Sequence, residues 1–172
     1  MSSEFLFTDR ATINKIIPQK KKLEGKLKVK IITHDNQLEL EGDEVDIYTA
    51  RKIIEAIERT FSVDDALLLI QPDYVLEDIK IKDVTKKKNL EVVRSRIIGT
   101  EGRTIQILGE LSDSHVVLHN NVVSIIGTFE KIKDTINAVR GIIQGSKQAN
   151  IYKYLEKARK RERPESLDIK EE

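Results

Sequence analysis

The sequence predicts an α+β protein built of two similar units, each a three-stranded sheet covered by helices, with a basic helix at the C-terminal end. Three observations predict this architecture. Apolar residues alternate with polar ones in short segments and recur at helical spacing in longer ones. The order of these segments is nearly the same in the two halves of the chain. The composition, 39% hydrophobic and 34% charged, is typical of a globular protein with a heavily charged exterior.

The second unit shows the clearer pattern. Its predicted elements are a strand at 75–84, helices at 90–98 and 103–111, strands at 115–118 and 122–126, and a helix that Thr128 caps and Gly145 ends. Asn120 and Asn121 suit the turn of the hairpin, because asparagine tolerates left-handed backbone. The tetrad Gly99–Gly102 separates the first two helices. Glycine at both of its ends allows positive φ and lets a ligand approach the main chain closely.

The first unit repeats most of this order. Its predicted elements are a strand at 5–7, a helix at 9–17, a hairpin of 26–33 and 37–41, a helix at 46–61, and a short helix through 66–69 that Ser62 caps. The segment Pro18–Lys21 stands in place of the glycine loop and contains no glycine. Only 11 positions separate Pro18 from Val29, whereas 17 separate Gly99 from Val116. We therefore expect the second short helix of this unit to be truncated or absent.

Charge is distributed unevenly along the chain, although the net charge is only +1. Lys15–Lys30 carries seven lysines and one glutamate, and Asp35–Asp78 carries thirteen acids and three bases. Arg94–Arg163 carries thirteen bases and seven acids. A polyanion would therefore meet two basic regions separated by an acidic one. Charges spread over solvated faces account equally well for this pattern.

The composition also excludes several kinds of site and function. The chain has no cysteine, which excludes thiol nucleophiles, disulfides and cysteine metal sites. No apolar stretch is long enough to cross a membrane, and residues 1–10 lack the basic and apolar segments of a secretory signal, so a cytoplasmic location is expected.

The search for catalytic patterns finds none. His115 and His119 lie four residues apart and His34 lies elsewhere, but no residue is spaced to supply the third ligand of a metal site. The acids at 35–44 indicate a solvated face or a docking surface. Nucleophile-elbow, P-loop and HExxH patterns are absent from the sequence. We therefore expect neither catalysis nor a metal or cofactor.

Four segments of the second half resemble a known family. They are Arg96–Thr104 (RIIGTEGRT), Ile125–Gly127, Gly145-Ser146, and Tyr152 with Leu155–Lys157. The sequence resembles the KH domain of the kind that places its hairpin and long helix after the glycine loop. It is similar, in particular, to the archaeal two-KH-domain ribosome-assembly factors that are partners of the Nob endonuclease.

The resemblance implies two tandem type I KH domains, the first degenerate, and binding of single-stranded RNA near the 3′ end of small-subunit pre-rRNA. It also implies a Nob-type endonuclease, the small ribosomal subunit or an initiation factor subunit as partners, through the acidic first unit. The expected division is a degenerate KH unit at 1–72, a KH unit at 73–146, a basic helix at 147–163 and a disordered acidic tail at 164–172. Such factors often keep a glycine loop in the first unit, and this sequence does not.

The loop predicts how RNA would bind. Glycines admit phosphates to main-chain N–H groups, and the helix that starts at Arg103 presents unpaired N–H groups at its positive end. Arg103 adds charge, and Thr104 can donate a hydrogen bond. Bases would lie across an aliphatic groove of Ile97, Ile98, Ile105 and Val117, with no aromatic side chain nearby to stack on them. The predicted RNA-binding residues are Arg96, Ile97, Ile98, Gly99, Thr100, Glu101, Gly102, Arg103, Thr104, Ile105, Val117, Lys153 and Lys157.

The sequence leaves the roles of three groups of charged residues open. Glu101 would repel phosphate unless it pairs with Arg103 or faces solvent. The lysines of the 150–163 segment, including Lys153 and Lys157, fit a docking helix with solvated cations as well as an added phosphate contact. Lys20, Lys21, Lys22 and Lys26 fit a solvated turn. The alternative functions are a KH adaptor for mRNA or an exosome-type complex and, in another class, a protein-docking scaffold without RNA contact.

Overall fold

A computed structural model describes residues 1–162 of the 172-residue chain. Arg163, the predicted last residue of the basic helix, and the predicted disordered tail lie outside the described residues. The strands of the described part form two three-stranded antiparallel sheets with helices, so the predicted α+β class is confirmed. None of the helices within 1–162 is long and apolar enough to cross a membrane.

The first unit spans Ser2 to Ile70. Its elements are β1 (Ser2–Phe7), α1 (Arg10–Ile16), α2 (Lys20–Leu27), β2 (Lys30–Thr33), β3 (Gln37–Gly42), α3 (Glu44–Glu58) and α4 (Val63–Leu67). Strand β3 is central, in the order β1-β3-β2. Its Leu38 and Leu40 are fully buried and alternate with half-exposed acids, as a half-buried strand requires. Asp9 caps α1 through a 2.7 Å bond from Thr12 N–H, and Ser62 caps α4 as predicted.

The second short helix of the first unit is present but truncated, with eight residues against ten in the equivalent helix of the second unit, which is one of the two predicted outcomes. Helix α2 has eight residues and includes part of the segment predicted as a strand from Lys26. The helix extends to Leu27 because Leu23 and Leu27, one turn apart, are both buried. Lys28 ends it in a left-handed conformation, with φ 56°. A single 3-10 turn, Ile17–Gln19, joins α1 to α2 where the second unit has its glycine loop.

The second unit spans Tyr74 to Gln144. Its elements are β4 (Tyr74–Lys80), α5 (Ile81–Val84), α6 (Leu90–Ile98), α7 (Arg103–Ser112), β5 (His115–His119), β6 (Val122–Thr128) and α8 (Phe129–Gln144). The sheet order β4-β6-β5 matches that of the first unit. Asn120 has φ 53° in the hairpin turn, and Gly145 ends α8 with φ 103°, both as predicted.

Two local predictions for the second unit are wrong. The strand predicted over 75–84 ends at Lys80, and the next four residues form α5, in which Ile81 is buried. Thr128 precedes α8, but its side chain makes no capping bond, and its hydroxyl is buried without a described partner.

In the first unit, the helix predicted at 46–61 runs instead from Glu44 to Glu58.

The sheet of the second unit is covered on both faces. Val116 and Ile125 belong to the core of the second unit, whereas Val117 and Ile126 belong to the core of the first. This division follows from the alternation of side chains along a strand. Polar contacts also join the two units at this interface. Arg59 Nε donates to both carboxylate oxygens of Asp78, at 3.0 and 2.9 Å, and His115 Nδ1 lies 3.1 Å from an Asp65 carboxylate oxygen.

Helix α9 (Gln148–Glu162) follows the second unit and packs against α7 and α8. Ile151, Leu155 and Ala158 form its buried face. The hydroxyl of Tyr154 donates to the carboxylate of Asp134 and accepts a 3.3 Å bond from Asn137 Nδ2. Burial, followed by the bond to Asp134, raises the pKa of Tyr154 above its usual 10.0.

Tyr154→Phe is expected to lower the free energy of unfolding by about 1 kcal/mol at neutral pH, because it removes these hydrogen bonds. The folded protein holds the Tyr154 proton more tightly than the unfolded chain. The stabilisation is therefore complete below about pH 10 and is lost as pH rises through the higher pKa of the folded state. Urea denaturation of both proteins at about pH 8 and about pH 11 tests this. A difference in stability that does not shrink at the higher pH would contradict it.

Candidate nucleic-acid interface

The glycine loop lies at the surface between α6 and α7, with a helix on either side as predicted. Gly99, Glu101 and Gly102 have positive φ, at 74°, 55° and 73°, and Gly102 N–H donates to Gly99 O at 3.2 Å. This tight turn leaves Thr100 and Glu101 exposed. No described residue forms an ion pair with Glu101, so of the two predicted alternatives it faces solvent rather than pairing with Arg103.

The two glycines of the loop serve different purposes. A Cβ on Gly99 would stand 2.1 Å from Thr104 Oγ1 and 2.8 Å from Thr104 N, so Thr104 is packed directly over Gly99. A Cβ on Gly102 would meet nothing within 4 Å. Gly99 therefore allows the loop to fold, whereas Gly102 leaves the main chain open to a ligand.

The start of α7 favours an anion beside Gly102. No side chain caps this ten-residue helix and no acid lies in its first turn. The first N–H groups of an α-helix lack partners within it and lie at the positive end of the helix dipole, although here the Arg103 N–H donates to Thr100 O in the loop. Arg103 is exposed, and no described acid pairs with it. Main chain and charge thus combine at one point of the surface, as a phosphate requires.

A groove of about 370 Å³ runs between α7 and β5. Its apolar lining residues are Ile105, Val116 and Val117, and its polar lining includes Gln106, His115 and the acids Asp65, Glu110 and Asp113. Ile98, predicted for the same surface, is 36% exposed at the end of α6. The groove and the loop are adjacent, because Ile105 lies one turn into the helix that Gly102 precedes.

Two of the predicted contacts need correction. Ile97 is fully buried in the core of the second unit and Thr104 is 4% exposed, so neither side chain contributes to the surface of the groove. Thr104 instead accepts a 2.9 Å bond from Gln148 Nε2. Val117 lines the groove, although it also packs against the core of the first unit, and its neighbour Val116 lines the groove from the core of the second unit.

A second and larger cleft, of about 810 Å³, opens on another face of α7. Arg96, Gly99 and Arg103 line one side of it, and Tyr152 of α9 lines the other. The prediction of no aromatic side chain concerned the aliphatic groove, whose described lining contains no Phe, Tyr or Trp; the second cleft adds Tyr152 to a lining that includes Gly99 and Thr100. The local sequence carries no signal for this proximity, because Tyr152 is 52 residues beyond Thr100 and joins the lining of this cleft only through the docking of α9.

The remaining basic residues differ in their surroundings. Lys153 and Lys157 are exposed on α9, one turn apart. In the first unit, Lys22 pairs with Asp64, and Lys20 lies 4.0 Å from Glu24. His115 is held by Asp65, and residues 1–162 contain no cluster of three side chains that could hold a metal.

Comparison with known proteins identifies the family. The model of the second KH domain of PNO1, described as the eukaryotic type KH domain or KH-domain type I, matches residues 75–160. The chain belongs to the type I KH family. The order strand, helix, helix, strand, strand, helix of both units is thus the KH fold, and the match to the family model continues into α9.

Individual KH relatives extend the match over most of the chain. A KH domain-containing protein of Methanocaldococcus jannaschii is 33% identical over 149 residues, 83% of this chain and 66% of the relative. The pre-rRNA-processing protein PNO1 of Yarrowia lipolytica is 32% identical over 135 residues, 74% of this chain and 52% of the relative. The chain therefore spans between about half and two thirds of the length of these curated relatives.

A solved structure matches both KH units. It is the a/eIF2alpha-aDim2p-rRNA complex from Pyrococcus horikoshii, which superposes with a TM-score of 0.79 at 30% identity. The match covers 93% of this chain and 95% of the matched one. The likeness to archaeal two-KH ribosome-assembly factors, first indicated by RIIGTEGRT, is confirmed.

Proposed function

We propose that this protein binds single-stranded RNA through its second KH unit during ribosome biogenesis, near the 3′ end of small-subunit pre-rRNA. One observation carries the proposal. A side chain at Gly102 would meet no neighbour, and Gly102 leads into the uncapped start of α7 and an adjoining groove with Ile105, Val116 and Val117 in its lining. A KH loop with these features clamps about four nucleotides.

The phosphates and the bases of the RNA strand would contact different parts of the site. Phosphates would approach Gly102 and the first N–H groups of α7, with Arg103 adding charge. Bases would lie on Ile98, Ile105 and Val116, where hydrogen bonds to their edges select sequence. The glycine loop is missing from the first unit, and we assign the RNA contact to the second unit alone.

The names of the relatives support pre-rRNA as the target. The Yarrowia relative is a pre-rRNA-processing protein, and the Pyrococcus protein was crystallised with rRNA. We propose that this protein acts in the cytoplasm without catalysing a reaction, and that it presents the bound RNA to a nuclease or shields it. The proposed division of the chain is 1–72, 73–146, 147–163 and 164–172, in agreement with two separate hydrophobic cores.

We propose further that the first unit contacts protein. Its Asp35–Asp78 segment has a net charge of −10, and Val45, which is 77% exposed, lies between Asp43, Glu44 and Asp46. An exposed apolar side chain among acids suits a basic partner surface. The candidates are a Nob-type endonuclease, the small ribosomal subunit and an initiation factor subunit. The last is supported by the presence of a/eIF2alpha in the Pyrococcus complex.

Fluorescence anisotropy with short labelled RNAs tests the proposal. We expect saturable binding that is tightest for RNA from the 3′ end of small-subunit pre-rRNA. Affinity should fall with salt, with a log-log slope of about 0.7 per phosphate neutralised. A docking scaffold would show no saturable binding at moderate salt. Equal affinity for unrelated mRNA fragments would favour the adaptor alternative over ribosome biogenesis.

A further inference from the structure

We propose that the 810 Å³ cleft between α6, α7 and α9 is a separate nucleotide subsite. It would take a nucleotide that adjoins the segment held by the glycine loop, with the phosphate near Arg96 and Arg103 and the base against Tyr152. The inference rests on the proposed RNA binding and extends it. The cleft is distinct from the KH groove, because the two have different linings on α7 and α9 forms a wall of the cleft alone.

The position of the cleft makes it continuous with the loop. Ile105 and Gln106 of α7 line the KH groove, whereas Arg103 and Ile107 line the cleft. With 100° between successive residues, the mean directions of these pairs differ by roughly 130°, so they lie on different faces of the helix. Gly99 and Thr100 form the edge of the cleft at the loop. A strand that crosses the loop can therefore enter the cleft directly.

The charge of the cleft suits a phosphate. Arg96 Nη2 donates to Ser146 O at 2.8 Å, which fixes the side chain while leaving four of its five N–H donors unused by that bond. Arg103 lies on the same cleft and forms no ion pair with a described residue. Glu91 is the only acid among the described residues that line it. Two guanidinium groups against one carboxylate give the cleft a positive balance.

The far wall of the cleft suits a base. Tyr152 is half-buried, and none of the described residues hydrogen-bonds its hydroxyl, whereas Tyr154 on the neighbouring turn is held by Asp134 and Asn137. Ile107 of the lining is half-buried, and Val92 is 51% exposed at the rim. An aromatic ring beside apolar side chains is the platform on which nucleic-acid bases stack. The volume falls within the range of about 300–1,000 Å³ of small-molecule sites, large enough for one nucleotide.

Polar groups at the rim could read the edge of the base. Asn89 accepts a 3.2 Å bond from Glu91 N–H through its side-chain oxygen, so its amide N–H groups remain as donors. Gln148 donates to Thr104, and its side-chain oxygen remains as an acceptor. A hydrogen-bond donor and an acceptor on the same rim would let the cleft discriminate between bases, which stacking alone does not do.

The test compares RNAs of two lengths on the full chain. One is a tetranucleotide that fills the loop and groove, and the others carry two more nucleotides at the 5′ or the 3′ end. We expect one extension to raise affinity, and Tyr152→Ala to reduce the affinity of that longer RNA about tenfold, as for loss of one stacked base. Affinity for the tetranucleotide should not change. Tyr152→Phe, which keeps the ring, is the matched control and should retain the gain.

A fluorescent base gives a direct readout. 2-Aminopurine at the added position should be quenched on binding to the unaltered protein and to Tyr152→Phe, but less so with Tyr152→Ala. If both extended RNAs bind no more tightly than the tetranucleotide, the subsite is refuted while the proposed function stands. Equal weakening of short and long RNAs by Tyr152→Ala would show a role in holding α9 instead, and would also refute it. If no RNA binds the unaltered protein, both proposals are wrong.

Discussion

Replacing Thr100 and Glu101 together by aspartate is expected to lower RNA affinity ~10-fold or more without unfolding the protein. Both side chains are exposed at the tip of the loop, where they would face the phosphates. A like charge opposite a phosphate is costly, and the double replacement adds one carboxylate and shortens the other toward the main chain. Anisotropy with the RNA that binds the unaltered protein best measures the loss.

The backbone should tolerate this change. Glu101 has φ 55° and ψ 30°, and aspartate occurs in this left-handed region more readily than glutamate. The matched control is Thr100→Asn with Glu101→Asn, which has nearly the same shape and no charge. We expect this control to bind RNA at least as well as the unaltered protein. If the folded double-aspartate variant bound RNA with full affinity, the loop could not be the RNA site.

Gly99→Ala is expected to lower the free energy of unfolding by about 3 kcal/mol. Gly99 has φ 74° and ψ 175°, a region that only glycine adopts readily, at a cost of about 1–3 kcal/mol for other residues. The added methyl group would also stand 2.7 Å from Thr104 Cβ and 2.8 Å from Thr104 N. Removing the Thr104 side chain cannot relieve the contact with the main-chain nitrogen. Urea denaturation measures the loss.

Gly102→Ala is the matched control for Gly99→Ala. Its φ of 73° and ψ of 13° are left-handed, which costs about 1–2 kcal/mol for alanine, and the new methyl group would meet no neighbour within 4 Å. We therefore expect a smaller loss of stability than at Gly99. RNA affinity should nevertheless fall, because the methyl group lies where a phosphate would approach. Equal destabilisation by the two substitutions would contradict the separate roles of the glycines.

The order of elements and the position of the loop could be predicted from local patterns. The alternation of Leu38 and Leu40 with acids follows from the alternation of side chains along a strand, and the glycines at 99 and 102 follow from the positive φ of the loop. Both are properties of residues that are close together in the sequence. The predictions failed where competing interactions lie outside the segment. Lys26 and Leu27 fit a strand in isolation, but the burial of Leu23 and Leu27 on one face extends α2 over them.

The sequence by itself determined the two KH units, the glycine loop and the uncapped helix after it, because side-chain period and backbone conformation are properties of contiguous residues. Only the tertiary structure decided which side chains reach a ligand. Strand β5 has apolar residues on both faces, and the first unit packs on one face whereas the helices of the second unit pack on the other. The docking of α9 adds Tyr152 to the cleft that Gly99 lines. Both outcomes depend on contacts between segments far apart in the chain, which no local pattern records.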